Sequence, residues 1–289
     1  MTTYFSSQFW KQFLIRKREG ILDKKPIGIF DSGVGGLTVF KEIRHRFPHE
    51  DIIYFGDTAR VPYGPKSKHT VIDYSIQNAR FLIQQGAKII VVACNTSSAT
   101  ALHQLQKLLP IPVLGVIEPG AVSAVKTTQN KRIGVIGTEG TIRSQAYSSA
   151  ISKLDEKCNV FSQPCPLFVP LAEEGWEDHE VTMLTIKEYL TTLLQEEIDT
   201  LVLGCTHYPI LKASIQKFVG DDITLVDSAQ TVSDKLDKIL PNREAEGIGE
   251  DRFYVSDNEE KFKSIASKIL EMEIDKLIKV KLGEGWFIN

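Results

Sequence analysis

The chain has 289 residues and lacks the marks of several large protein classes. Its four cysteines show no regular spacing and no Cys-x-x-Cys, so it carries neither a disulfide framework nor a tight zinc motif. No apolar run is long enough to cross a bilayer. Charge of one sign is not in excess: a net charge of -3 and a pI near 6.1 offer no basic footprint for nucleic acid or an anionic membrane. Low-complexity and collagen-like bias are absent too, which leaves an ordinary globular protein of one large or two smaller domains. The partner this implies is a small molecule rather than nucleic acid or membrane, and the compartment a reducing cytoplasm in which thiols stay free.

Residues 1–25 hold Tyr4, Phe5, Phe9, Trp10 and Phe13 among Lys11, Arg16, Lys17 and Arg18, without the apolar core and cleavage site of a signal peptide. They read as an N-terminal extension, either loosely held or a short amphipathic helix docked on the body or a partner.

What is plentiful is alternation. Strand-like apolar runs at 27–30, 52–55, 88–92, 113–117, 133–136, 160–164, 200–203 and 223–226 are separated by helical periodicity, notably after Asp73, after Ser97 and over 179–197. Such a pattern predicts α/β architecture, parallel sheets covered by helices. The order of landmarks also repeats. Ile27-Gly28-Ile29-Phe30-Asp31-Ser32-Gly33 is echoed by Ile133-Gly134-Val135-Ile136-Gly137-Thr138-Glu139-Gly140, and the run ending in Cys94 by the run ending in Cys205. Val116-Ile117-Glu118-Pro119 is echoed by Val226-Asp227-Ser228-Ala229, each read as a strand ending in an acid. Three matches in one order predict two pseudo-symmetric α/β domains with an active site in the cleft between them. The expected division is an extension over 1–25, a first domain over 26–117 plus 227–289, and a second over 118–226. The tail, with a strand at 252–256 and a helix at 259–271, is expected to pack back on the first domain.

The chemistry concentrates at the two matched cysteines. A thiol at the carboxyl end of a buried parallel strand points into the crevice where open α/β sheets bind ligands. In a partly exposed, polar setting it can act as a base toward a carbon acid. Two thiols on opposite sides of one ligand would let one remove a proton while the other delivers one, inverting a stereocentre with no metal, Schiff base or redox cofactor. Other readings remain at this point: buried structural thiols, a redox disulfide, or a thiol hydrolase, for which His207 is too near Cys205 on an extended segment to serve simply as partner. The glycine-rich stretch Asp31-Ser32-Gly33-Val34-Gly35-Gly36-Leu37-Thr38 lacks the third glycine of a dinucleotide fingerprint and the Gly-Lys-Ser/Thr of a P-loop. It reads either as a bare turn or as a turn whose amides and Ser32 hydroxyl bind a carboxylate.

Four blocks carry a specific resemblance: Gly28 to Thr38, Tyr54-Phe55-Gly56-Asp57-Thr58-Ala59-Arg60-Val61-Pro62-Tyr63-Gly64, Ala93-Cys94-Asn95-Thr96-Ser97-Ser98-Ala99 and Leu203-Gly204-Cys205-Thr206-His207-Tyr208-Pro209. With Pro170-Leu171-Ala172-Glu173-Glu174-Gly175-Trp176, they resemble the signature blocks of bacterial glutamate racemases from about Pro26 onward, the extension before it being absent from many members. The resemblance implies a cofactor-independent enzyme in which Cys94 and Cys205 exchange the α-proton of glutamate, supplying D-glutamate for peptidoglycan. It further implies that Asp31, Ser32, Tyr63, Gly64, Asn95, Thr96, Thr206 and His207 line the substrate site, with Asp31 tuning Cys94 and His207 tuning Cys205. Thr138, Thr141 and Glu173 are further candidates, and Asp57 is one whose competing role is to form a turn. Aspartate or other amino-acid racemases share the fold and the thiol pair, and a non-catalytic binding protein on the same fold is the other alternative. Members of the family often dimerise, but no interface is legible in the sequence.

Overall fold

A computed structural model describes residues 25–240 and 247–282. The helix considered within residues 1–25 lies outside the described residues.

The strands are β1 (Ile27–Asp31), β2 (Ile52–Gly56), β3 (Ile89–Val92), β4 (Val113–Gly115), β5 (Arg132–Gly137), β6 (Asn159–Pro164), β7 (Thr200–Gly204), β8 (Thr224–Val226), β9 (Asp251–Val255) and β10 (Leu277–Lys279). They form two parallel sheets, ordered β10-β9-β2-β1-β3-β4 and β6-β5-β7-β8. The first four strands of each half therefore follow the same plan, with the second strand on one side of the first and the third and fourth on the other. β1, β2, β3 and β7 are buried along their whole length, which explains their unbroken apolar sequence: a strand covered by helices on both faces has no solvent side to alternate with. In the six-stranded sheet, Leu37, Phe40, Ile43 and Phe262 pack on one face and Phe81, Leu82 and Leu105 on the other.

This strand order explains where a site can form. After β1 the chain winds to one side as β2 and then returns to the other as β3, so the helices leaving β1 and β3 diverge and open a crevice at their carboxyl ends. Asp31 is the last residue of β1, and Cys94 follows β3 by two positions. In the second sheet the equivalent crevice lies between β5, followed by Thr138, and β7, followed by Cys205.

Several boundaries differ from the sequence reading. β4 stops at Gly115, so Glu118 does not end a strand. It lies in the first turn of helix Ile117–Thr127, where an acid suits the helix dipole and Pro119 needs no intrahelical amide partner. The helix expected after Asp73 begins at Lys68, because Ser67 caps it by accepting from the Thr70 amide at 3.2 Å. The helix expected after Ser97 starts at Asn95, directly behind Cys94. Helix Ala229–Asp237 and strand β10 were not anticipated, and β10 is only three residues long. No helix of the described residues is long and apolar enough to cross a membrane.

Candidate active site

Cys94 is the residue immediately before helix Asn95–Thr100, and its thiol donates to Ser32 Oγ at 3.6 Å. Cys205 follows β7 directly, with its Sγ 3.9 Å from His207 Nδ1. The segment after Cys205 is not extended: His207 has helical backbone angles and leads into a 3-10 turn over Tyr208–Leu211, which brings the ring back to the sulfur two residues earlier. The sequence-based objection to that pairing is thus corrected by local backbone curvature. Both thiols are also more buried than expected, at 4% and 6% exposure. Burial, followed by the negative charge of Asp31, pushes the Cys94 thiol up from 9.0 to about 11.

The residues between the thiols stitch the two halves together. Asp31 is fully buried; one carboxylate oxygen accepts from the Gly33 amide at 2.9 Å and the other from Thr206 Oγ1 at 3.2 Å. Gly33 N is therefore committed to Asp31. Thr96 Oγ1 lies 2.8 Å from Thr138 Oγ1 and 3.4 Å from Thr141 Oγ1, and Thr138 and Thr141 are 3.0 Å apart, a trio of hydroxyls shared between the halves. The Gly64 carbonyl accepts from the Gly140 amide at 3.0 Å. Asn95 Oδ1 accepts from Tyr147 OH at 2.8 Å. Tyr147 escaped the sequence reading because it sits in an unremarkable helix, Ala146–Leu154, with no motif around it.

Asp57 is linked to the site through Tyr63. It is fully buried and accepts from Arg60 Nε at 2.7 Å, Ser256 Oγ at 2.9 Å and Tyr63 OH. Tyr63 in turn accepts from Asn78 Nδ2 at 3.1 Å, and its ring packs in a cluster with Val71 and Cys94. Asp57 thus anchors the loop whose Tyr63 packs with Cys94 and whose Gly64 meets Thr138 and Gly140.

On the other side, His207 Nε2 lies 3.2 Å from Glu173 Oε1. Burial alone would lower the imidazole, but hydrogen bonds to Cys205 and Glu173 outweigh it and carry it from 6.5 up to about 10. That direction favours the protonated ring, which can donate from both nitrogens. Its cation, next to Cys205, stabilises negative charge on that sulfur whenever the proton leaves it. A folded state that binds this proton more tightly than the unfolded chain gains stability that is fully present below pH 6.5 and lost as pH rises through about 10. His207→Asn is therefore expected to flatten the decline in urea midpoint between pH 6.5 and pH 9, a window below the titration of Cys94. Parallel declines for variant and wild type would contradict it.

A cavity of about 430 Å³ is lined by Cys205, Thr206, Asn95, Glu173 and, from the C-terminal helix, Ile265 and Lys268. Two smaller cavities, of about 280 and 290 Å³, flank Gly64 and Thr138 on one side and Thr96 and Gly140 on the other. The first is of the size that admits a small molecule.

Fold and site together define a duplicated α/β protein with one strand-end thiol in each half, the layout of an amino-acid racemase. A family profile, Asp/Glu/Hydantoin racemase, matches residues 37–235. A glutamate racemase of Geobacter metallireducens is 52% identical over 262 residues, covering 89% of this chain and 97% of the relative. Crystal structures of glutamate racemases from Bacillus anthracis (TM-score 0.85, 42% identity, 89% of this chain and 98% of that one) and Francisella tularensis (0.83, 43%, 90% and 99%) superpose on it. The second of these holds D-glutamate. The chain belongs to the Asp/Glu/hydantoin racemase family, within its glutamate racemases.

Proposed function

We propose that this chain interconverts L- and D-glutamate by proton transfer between Cys94, Cys205 and the α-carbon, and that its product supplies peptidoglycan synthesis in the cytoplasm. The observation that carries this reading is the equivalence of the two thiols: each follows the third of four strands laid out on the same plan, and each has its own polar partner, Ser32 or His207. One sulfur starts as thiolate and takes the α-proton, becoming a thiol; the other starts as a thiol and gives its proton to the opposite face of the carbon, becoming a thiolate. Substrate composition and total charge are conserved, and the configuration is inverted. Cys94, held protonated at neutral pH, starts as the acid in one direction and must be deprotonated before it can serve the other.

The α-carboxylate gains charge as the α-carbon loses its proton. In this reading Asn95, Thr96 and Thr206 donate to it, Thr206 by turning its hydroxyl from Asp31 to the substrate, with Thr138, Thr141 and the Tyr63-Gly64 loop holding the remainder of the substrate. The hydroxyls of Thr96, Thr138 and Thr141 bond one another across the seam, which holds them close together at the place where the substrate is to be bound. Cys205 borders the cavity of about 430 Å³ while Cys94 is not in its lining, so in this reading the seam between the halves parts for one substrate to reach both sulfurs.

The test is incubation with individual L- and D-amino acids in deuterated water. Glutamate is expected to acquire one α-deuterium with inversion, while aspartate is left at least tenfold slower. Exchange on aspartate but not glutamate would assign the chain to a different substrate, and exchange on neither would leave a binding protein.

A further inference from the structure

The C-terminal helix Glu259–Leu270 belongs to the segment that completes the six-stranded sheet, yet one of its side chains reaches the opposite half. Lys261 Nζ lies 3.3 Å from Glu173 Oε2 and 3.2 Å from Glu174 Oε1. Glu173 closes helix Phe168–Glu173 and divides its carboxylate: Oε2 faces Lys261, while Oε1 meets His207 Nε2 at 3.2 Å. His207 Nδ1 then faces Cys205 Sγ at 3.9 Å. Four side chains from three separate segments thus form one line from the surface to the sulfur, and exposure falls along its first three members from 41% through 16% to 2%.

We propose that Lys261 is a positioning residue for the proton transfer at Cys205: by fixing Glu173 across the seam, it keeps the His207 ring aimed at that sulfur. The inference rests on the racemase reading for its kinetic consequence but not for its structural one. A carboxylate that orients a histidine must itself be held, because a free Glu side chain has several rotamers that withdraw it from the ring. Lys261 and His207 are the cations whose charges act most on Glu173, Lys268 lining the same cavity, and the charged groups that act most on His207 are Cys205, Glu173 and Asp31. Burial would raise the Glu173 carboxyl, but His207 and Lys261 together hold it below its ordinary value. Loss of Lys261 weakens that hold and, through it, the ring's grip on its proton. An exposed ion pair contributes little to stability in general, so the effect is expected in orientation rather than in folding.

The experiment compares Lys261→Gln, Lys261→Arg and Glu174→Gln in the full chain. It measures kcat and KM for glutamate in both directions and follows the His207 imidazole titration by NMR. Lys261→Gln is expected to lower kcat about fivefold to tenfold with KM changed less than twofold, and to move the His207 midpoint to lower pH. Lys261→Arg keeps the charge at Glu173 and should restore kcat to within about twofold. Glu174→Gln removes only the competing partner and should leave kcat unchanged. A folded Lys261→Gln protein with unaltered kcat and an unaltered His207 midpoint would overturn the proposal, as would a loss that Lys261→Arg does not rescue. If the wild type fails to racemise glutamate, the NMR midpoint still decides whether Lys261 acts on His207, so the two failures are separable.

Discussion

Cys94→Ala and Cys205→Ala are each expected to lose net racemisation of glutamate by ~10³-fold or more, the scale of an absent general acid or base. The loss is symmetrical, because inversion needs a base on one face and an acid on the other, whichever enantiomer is offered. Isotope exchange separates the two variants. With Ala at 94, the remaining sulfur at 205 can still remove and return a proton on its own face, so one enantiomer exchanges with deuterated water and keeps its configuration. With Ala at 205 the other enantiomer does so. The neighbourhoods of the sulfurs predict a further asymmetry. Cys94 is held up at about 11 by burial and by Asp31, whereas Cys205 stands beside an imidazolium. Exchange that relies on Cys94 as base therefore starts from a thiol whose ionisation burial opposes, and its rate should rise with pH across the alkaline range. Either variant racemising within tenfold of wild type, or both variants exchanging the same enantiomer, would refute the two-thiol mechanism.

Much of this site is legible in the sequence because its chemistry sits at strand ends. An apolar run such as Ile89-Ile90-Val91-Val92 fixes a buried strand, and the first polar residues after it must lie at the sheet's rim, so Cys94, Asn95 and Thr96 announce themselves. The duplicated order of landmarks is likewise a linear signal, and the shared strand order of the two sheets is its spatial counterpart. What resists reading is contact between distant segments. Tyr147 bonding Asn95 and Lys261 bonding Glu173 each depend on how the halves meet, and neither residue carries a local pattern that distinguishes it from neighbouring helix surface. The proximity of His207 to Cys205 follows from the family resemblance and not from the residue pattern itself, because it depends on a turn that bends just after β7, where sequence periodicity is silent. The third landmark was misplaced for a related cause, since Val116-Ile117 is apolar enough to read as strand although the chain has already entered a helix.

Gly35→Ala is expected to lower kcat about 100-fold in both directions while costing roughly 1–3 kcal/mol of stability. Gly35 does not adopt left-handed backbone angles, so its requirement is space rather than conformational freedom. A Cβ there would lie 2.6 Å from His207 Nδ1, 2.7 Å from Thr206 Oγ1 and 2.9 Å from His207 Cε1. These distances are well inside van der Waals contact, and both neighbours are buried, so neither can swing into solvent to make room. Relief must come from moving the glycine-rich turn and the Cys205 loop apart. That movement lengthens the Thr206–Asp31 bond and carries the imidazole from its place between Cys205 and Glu173. A displacement approaching about 1 Å in a group that must stabilise transferred charge is enough to cost about 100-fold in rate. Gly33→Ala supplies the control within the same motif: its Cβ would meet nothing nearer than Val61 Cγ2 at 3.4 Å, an ordinary contact. Its kcat is expected to fall at least tenfold less than that of Gly35→Ala. Equal losses in the two variants would mean that the motif tolerates no side chain for reasons of backbone alone, and the close approach of the two halves at His207 would no longer explain why glycine stands at 35.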